Sequence, residues 1–299
     1  MSGNKVDDLQ GLHIVVTRPL AQAEPWAKRL IKLGASVSLV PLLDIVAVKD
    51  AAQIQAIKNC ILNFDLYSKA IFVSQNAVTF GFEWLDNYWP QLPSGVQFFA
   101  VGETTAKLIE ANGAVVTDLA QTQRGAMNSE ALLESPALQQ VAGERIVILR
   151  GLGGRTHLGD ALSARGAKVE YCELYERLVP TAAATQFAQL LKTNADSNAA
   201  LRVQHKADAL NLIVTLHSGE ALENLITILK QLSTPTAKTA TPHEQTSMQQ
   251  LILLVPSERV AEQAIDAGFS TIFAAGNATE ASMLQRLLDM RASFKNLLN

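Results

Sequence analysis

The chain has 299 residues, 48% apolar and 18% charged, with a formal net charge of −3. That length suits one large or two medium domains with full cores, and no run of one sign supplies the basic stripe a nucleic-acid groove needs. No apolar run is long enough to span a bilayer and Met1–Gln10 has no apolar stretch of secretory type, so the expectation is a cytoplasmic protein with no membrane or nucleic-acid partner.

Leu12–Thr17 reads as a short apolar strand, closed by Arg18-Pro19. Gln22–Leu33 has helical spacing, with Trp26, Leu30 and Leu33 on one side, and Gly34 stops it. Val37–Val48 reads as extended chain, and Ala51–Leu62 as a helix. Ala70–Val73 is a buried strand leading through Ser74-Gln75-Asn76 into a helix from Ala77. Gln97–Val101 is a strand, and Gly102-Glu103-Thr104-Thr105 opens a helix ending at Asn112-Gly113. Ser129–Leu133 is a helix with Asn128 or Ser129 as its cap. Arg145–Leu149 is a strand, Arg150–Arg155 a Gly-rich turn, and the helix behind it ends at Gly166.

Lys168–Pro180 (KVEYCELYERLVP) is a second extended stretch, apolar residues interleaved with Glu170, Glu173 and Glu176. Partial alternation of this kind favours a half-exposed strand. The strand–turn–helix grammar then repeats: Leu210–Thr215 with Glu220–Leu229, Leu251–Val255 with Val260–Ala267, and Thr271–Ala274 with Glu280–Met290. Thr234–Ser247 is polar, with two Pro and five Thr, and reads as an exposed loop.

The two halves are internal copies. LHIVVTRP with its helix matches RIVILRG with its helix, IFVSQNAV matches LIVTLHSG, and FFAVGETTAKLIEANGA matches LILLVPSERVAEQAIDAGF. Alternating units of this kind build parallel sheets with helices on both faces. If Val37–Val48 and Lys168–Pro180 pair, the domains are not the halves. One is 1–38 plus 178–299, the other 46–168, and 39–45 with 169–177 form a two-stranded connector acting as a hinge. The fold class is then two doubly wound, flavodoxin-like α/β domains, the first discontinuous.

Ligands of open α/β sheets bind beyond the carboxyl ends of the strands. The turns there are small and polar and lead into helices, whose free N–H groups attract anions. They nominate Thr17, Arg18, Ser74, Gln75, Asn76, Gly102, Thr104, Thr105, Arg150, Gly151, Arg155, Thr215, Ser218, Ser257 and Arg259 as contacts for a small polycarboxylate. Ser, Thr and Asn are also ordinary helix caps. Gly151-Leu152-Gly153-Gly154 lacks the third Gly of a dinucleotide fingerprint, because position 156 is Thr, so it reads as an anion-binding turn or plain loop. Cys60 and Cys172 form no metal or redox pattern and read as separate buried thiols. His13 reads as a packed core imidazole, and His157 and His217 as structural.

In order and spacing, VTRP, VPLLDI, IFVSQNAV, AVGETTA, SEALL, ILRGLGGR, ELYER, SGEAL and VPSERVA resemble the uroporphyrinogen-III synthase family over nearly the whole chain. The resemblance implies the bilobed fold above and a reaction without cofactor or metal. Hydroxymethylbilane, a linear tetrapyrrole with eight carboxylates, loses its terminal hydroxyl as water. It closes through a spiro intermediate to uroporphyrinogen III with the last ring inverted. The family's connector tyrosine falls on Tyr175, implied as the catalytic proton donor. Its Ser/Thr positions fall on Ser74, Thr105 and either Thr215 or Ser218. Where the family has a GxTTA-like turn in the second half, this chain has Pro256–Arg259, which passes that contact to Ser257 or Arg259. A monomer is expected, with transient contact with the preceding pathway enzyme. The alternatives are a bilobed anion-binding or sensor protein without catalysis and, less favoured, a nucleotide-binding regulator.

Overall fold

The computed structural model describes residues 8–117, 129–203, 212–233 and 251–297. The loop read at 234–247, the cap Asn128, and His205 and His243 lie outside the described residues. In chain order the strands are β1 (His13–Val16), β2 (Ser36–Leu39), β3 (Asp44–Ala47), β4 (Lys69–Phe72), β5 (Gln97–Ala100), β6 (Arg145–Gly151), β7 (Lys168–Leu178), β8 (Leu212–Thr215), β9 (Ile252–Val255) and β10 (Thr271–Ala274). The helices are α1 (Leu20–Lys32), α2 (Ala51–Leu62), α3 (Gln75–Tyr88), α4 (Glu103–Ala111), α5 (Ser129–Leu133), α6 (His157–Ala164), α7 (Ala183–Val203), α8 (Gly219–Ser233), α9 (Glu258–Asp266) and α10 (Glu280–Leu297).

Two compact units result: Met1–Asp44 with Leu178–Asn299, and Ile45–Arg177. Unit 1 holds a five-stranded sheet in the order β10-β9-β8-β1-β2, and unit 2 one in the order β3-β7-β6-β4-β5. The pairings β1–β2, β1–β8, β8–β9 and β9–β10 are parallel, as are β4–β5, β4–β6 and β6–β7.

The duplicated segments explain these orders. Equating β6, β7, β4 and β5 with β1, β2, β8 and β9 turns β7-β6-β4-β5 into β2-β1-β8-β9. Val116, in a parallel bridge to Phe98, stands where β10 stands beside β9. Each unit is therefore the same doubly wound sheet, assembled from the first part of one copy and the last part of the other.

Both faces of each sheet are covered, so the central strands are mostly apolar: Ile14–Val16 of β1, Leu212–Val214 of β8 and Ile252–Val255 of β9. In unit 1, Ile14, Val16 and Ile213 pack with Trp26 and Leu30 of α1 and Met283 and Leu287 of α10. The opposite face carries Phe187 of α7, Leu225 of α8 and Val260 of α9. In unit 2, Phe72 and Phe98 lie under α2, α3 and α4, and Ile71, Ile146 and Ile148 under α5 and α6.

One extended stretch differs from the sequence reading. Val37–Val48 is not continuous: β2 belongs to the sheet of unit 1 and β3 to that of unit 2, with Pro41 between them. Lys168–Pro180 forms the strand the sequence suggests, as β7. From Lys168 to Tyr175 it pairs in register with β6, with one irregularity at Arg150/Gly151. The strand is half-exposed as its alternation suggests, with Glu170 exposed and Cys172, Leu174 and Tyr175 buried; Glu170 lies 3.6 Å from Arg145 and Glu173 3.7 Å from Arg150. His13 is only half-buried, with Nε2 2.9 Å from Ser38 Oγ on the neighbouring strand.

Candidate functional site

At the carboxyl edge of unit 2, Tyr175 and Ser74 meet, although 101 residues separate them. The Tyr175 ring is fully buried, and its hydroxyl lies 2.9 Å from Ser74 Oγ. Phe80 of α3 stacks on the ring with centroids 5.5 Å apart. On the other side is the backbone of Gly151, where a Cβ would stand 2.5 Å from the ring. Gly151 is thus needed for the close approach of the Tyr175 ring. Ser74 is half-buried and caps α3, its Oγ accepting from Ala77 N–H at 3.1 Å. Among the described residues, the hydrogen-bond partner of the Tyr175 hydroxyl is Ser74.

The Gly-rich turn behind β6 is already filled. Arg150, 4% exposed, folds its guanidinium back into it, Nε donating to Gly151 O at 3.2 Å and Nη1 to Arg155 O at 3.0 Å. Its cation lies over the Tyr171 ring, 4.7 Å from the centroid. A Cβ on Gly154 would meet Arg150 Nη2 at 2.6 Å, so this glycine makes room for the arginine. Glu173 Oε1 accepts from Gly153 N–H at 3.2 Å and is the resident anion. Arg150, nominated as a substrate contact, thus gives Nε and Nη1 to two backbone carbonyls and lies 3.7 Å from Glu173 Oε1. Arg155 is exposed at the end of the turn.

The other turns of this edge differ in access. Gln75 and Thr104 are exposed and Asn76 half-buried, whereas Thr105 is 3% exposed. Gly102 precedes α4 at φ 92°, a conformation that favours glycine, and gives the helix no side-chain cap. The first-turn N–H groups of α4 are therefore not capped by a side chain at that position.

In unit 1, Thr17 and Thr215 lock β1 to β8 reciprocally. Thr17 Oγ1 donates to Thr215 O at 2.6 Å and Thr215 Oγ1 to Val15 O at 2.9 Å, and both residues are buried. Their single protons are spent on the backbone, so neither hydroxyl has a donor left for a carboxylate. Ser218 caps α8 through Ala221 N–H at 3.1 Å. Ser257 precedes α9 without a side-chain cap bond. Arg259 is exposed, holds Gln263 Oε1 at 3.4 Å, and lies so near Gly219 that a Cβ there would be 3.8 Å from Nη1. That contact joins the turns after β8 and β9. Arg18 Nη1 lies 3.3 Å from Glu280 Oε1. His217 packs edge-on to Trp26, and burial, then the Arg18 cation, hold its pKa down to about 3.

Sequence reasoning gave no site role to Glu173, Glu280 or Phe80. It also kept the two cysteines apart. The fold brings Cys60 of α2 and Cys172 of β7 within hydrogen-bonding reach of each other, with the Tyr67 hydroxyl 3.6 Å from Cys60 Sγ. Their contact lowers the Cys60 pKa and raises that of Cys172. Among the described residues no group of three or more His, Cys, Asp or Glu is arranged to hold a metal, and no helix is long and apolar enough to cross a membrane.

Residues 24–285 match the family model described as uroporphyrinogen-III synthase HemD. The chain is 32% identical over 276 residues to uroporphyrinogen-III synthase of Salmonella typhimurium, covering 92% of this chain and 100% of that protein. It is 32% identical over 279 residues to the Escherichia coli enzyme of the same name, with coverage of 92% and 100%. In fold it is similar to uroporphyrinogen-III synthetase of Helicobacter pylori, with a TM-score of 0.51 at 13% identity, over 94% of this chain and 100% of that one. A mutant uroporphyrinogen III synthase of Thermus thermophilus superposes with a TM-score of 0.50 at 16% identity, over 96% of this chain and 98% of that one.

Proposed function

Because the chain belongs to the uroporphyrinogen-III synthase family, we propose that it closes linear hydroxymethylbilane to uroporphyrinogen III, with loss of water and inversion of the last pyrrole ring through a spiro intermediate. The observation that carries this reading is the family match across residues 24–285. The geometry suits it. The hydroxyl to be expelled needs one proton, and the half-buried Ser74 hydroxyl, hydrogen-bonded to the Tyr175 phenol, is a donor at the carboxyl edge of β4. Ser74 hands over the proton while the Tyr175 phenol, hydrogen-bonded behind it, stabilises the oxygen left, and the proton released on ring closure restores the Ser74 hydroxyl.

The cation left by loss of water closes of its own accord to the uninverted isomer, so acid–base power is a minor part of the task. The larger part is to hold the last ring so that its substituted carbon is attacked, which is catalysis by positioning. Within unit 2, donors for a substrate carboxylate are the first-turn N–H groups of α4, which carry no side-chain cap bond, with Thr104 and Arg155 exposed at the same edge. The reading includes a monomer acting in the cytoplasm on a substrate received from the preceding pathway enzyme, which sedimentation and coupled product-transfer assays check. The deciding experiment supplies freshly made hydroxymethylbilane to purified protein without added cofactor and separates the porphyrin isomers after oxidation. The III isomer is expected; the I isomer alone overturns the reading.

A further inference from the structure

At the carboxyl end of β1 and β8, unit 1 gathers more hydrogen-bond donors than acceptors. Val16 pairs with Thr215 in the parallel register, so Arg18 and His217 leave adjacent strand ends two residues further on. Trp26, one and a half turns into α1, sets its ring 5.1 Å from that of His217, at 89°. Both ring nitrogens of His217 and the indole N–H of Trp26 are shut off from water without a hydrogen-bond partner. Arg18 bridges to Glu280, the first residue of α10, through one nitrogen at 3.3 Å, with side chains 23% and 39% exposed. Helices α1 and α10 share one face of the sheet.

The inventory is lopsided. A neutral imidazole has one N–H and one lone pair, the indole one N–H, and the guanidinium five. The carboxylate paired with Arg18 is Glu280, and no bond joins Glu280 to His217 or Trp26. Buried donors without partners are rare because each costs free energy. Here two such rings lie beside a half-exposed cation whose counter-ion is held at a single nitrogen. A planar carboxylate can take both edges of the guanidinium fork, and Glu280 does not.

We propose that Arg18, His217 and Trp26 form a subsite for one carboxylate arm of the substrate, and that Glu280 keeps Arg18 in place until that carboxylate displaces it. The identity of the polyacid rests on the function proposed above; the chemistry of the corner does not. Glu280 is thereby a specificity-determining residue, because only a ligand group that satisfies Arg18 better than Glu280 opens the corner.

The test is the indole N–H resonance of Trp26, one of three in the protein, assigned by Trp26→Phe and followed while propane-1,2,3-tricarboxylate is added. A saturable shift of that resonance is expected, absent in Arg18→Gln and retained in weakened form in Arg18→Lys. Glu280→Gln should tighten the apparent Kd by about threefold, the scale of an exposed ion pair. Folding of each variant is checked by circular dichroism. A resonance that ignores the tricarboxylate, or moves equally in Arg18→Gln, overturns the proposal. An equal response to inorganic phosphate overturns the assignment to a carboxylate. In the isomer assay, Glu280→Gln should lower KM and leave kcat in place. A normal Trp26 response without formation of the III isomer would condemn the proposed function and not the subsite; the III isomer without that response would do the reverse.

Discussion

Replacing Tyr175 by Phe removes one oxygen and leaves the stack on Phe80 and the packing on Gly151 in place. What is lost is the 2.9 Å contact with Ser74 Oγ. A net hydrogen bond of this kind is worth about 0.5–1.5 kcal/mol. At about 1.4 kcal/mol per factor of ten, a residue that works by holding Ser74 should lower kcat by about tenfold at most. A direct general acid would contribute about a hundredfold to ten-thousandfold. The burial of the ring favours the smaller figure. The assay is the initial rate of III-isomer formation for Tyr175→Phe, Ser74→Ala and the double variant. If Tyr175 acts through Ser74, the double variant is no slower than Ser74→Ala alone. KM should stay put, and the III:I ratio should survive, because positioning of the bilane does not pass through this pair. Unchanged turnover in Tyr175→Phe, a loss beyond a hundredfold in a folded protein, or additive losses in the double variant would each refute the reasoning.

Gly151→Ala should cost about 1–3 kcal/mol by overpacking, since its Cβ would overlap Tyr175 at 2.5 Å; the readout is the denaturation midpoint of unit 2, and an unchanged midpoint removes the contact from the account. His217 titrates near 3 when folded against an ordinary 6.5. Below pH 6.5 the unfolded chain binds a proton that the native one refuses, so stability falls as pH drops from 6.5 towards 3 and is complete above that window. His217→Asn should therefore flatten the midpoint-against-pH curve between those limits, and an unaltered slope counts against the burial argument. The paired thiols predict an order: Cys60, lowered by its neighbour, should be alkylated by iodoacetamide before Cys172, as read by peptide mass mapping, and the opposite order contradicts the pairing.

Much of the architecture is local and so is visible in the chain. Past their first residues His13 and Lys69, β1 and β4 are apolar, as ILLV of β9 is throughout, because both faces of their sheets are covered. Gly34 and Gly166 close helices at positive φ. The matched segments of the two halves foretell two sheets of one kind, and Ser74 and Ser218 are caps that polar turn residues announce. The order of the motifs carried the family.

Which partner each polar group finds depends on residues distant in sequence. Thr17 and Thr215 look like surface turn hydroxyls, yet the β1–β8 pairing turns each onto the other's strand, 198 residues away. Gly153 and Gly154 look like an anion cradle, yet Glu173 from β7 and Arg150 from β6 occupy it. Cys60 and Cys172 look solitary until α2 is laid over β7. Alternation within Lys168–Leu178 could not place the Tyr175 ring; pairing with β6, the missing Cβ of Gly151 and the face of Phe80 did. Periodicity and turn chemistry are properties of neighbours along the chain, so the sequence by itself determined the elements and their order. Burial and hydrogen-bond pairing are properties of neighbours in space, and only the tertiary structure decided which polar groups are spent in holding the fold and which remain for a ligand.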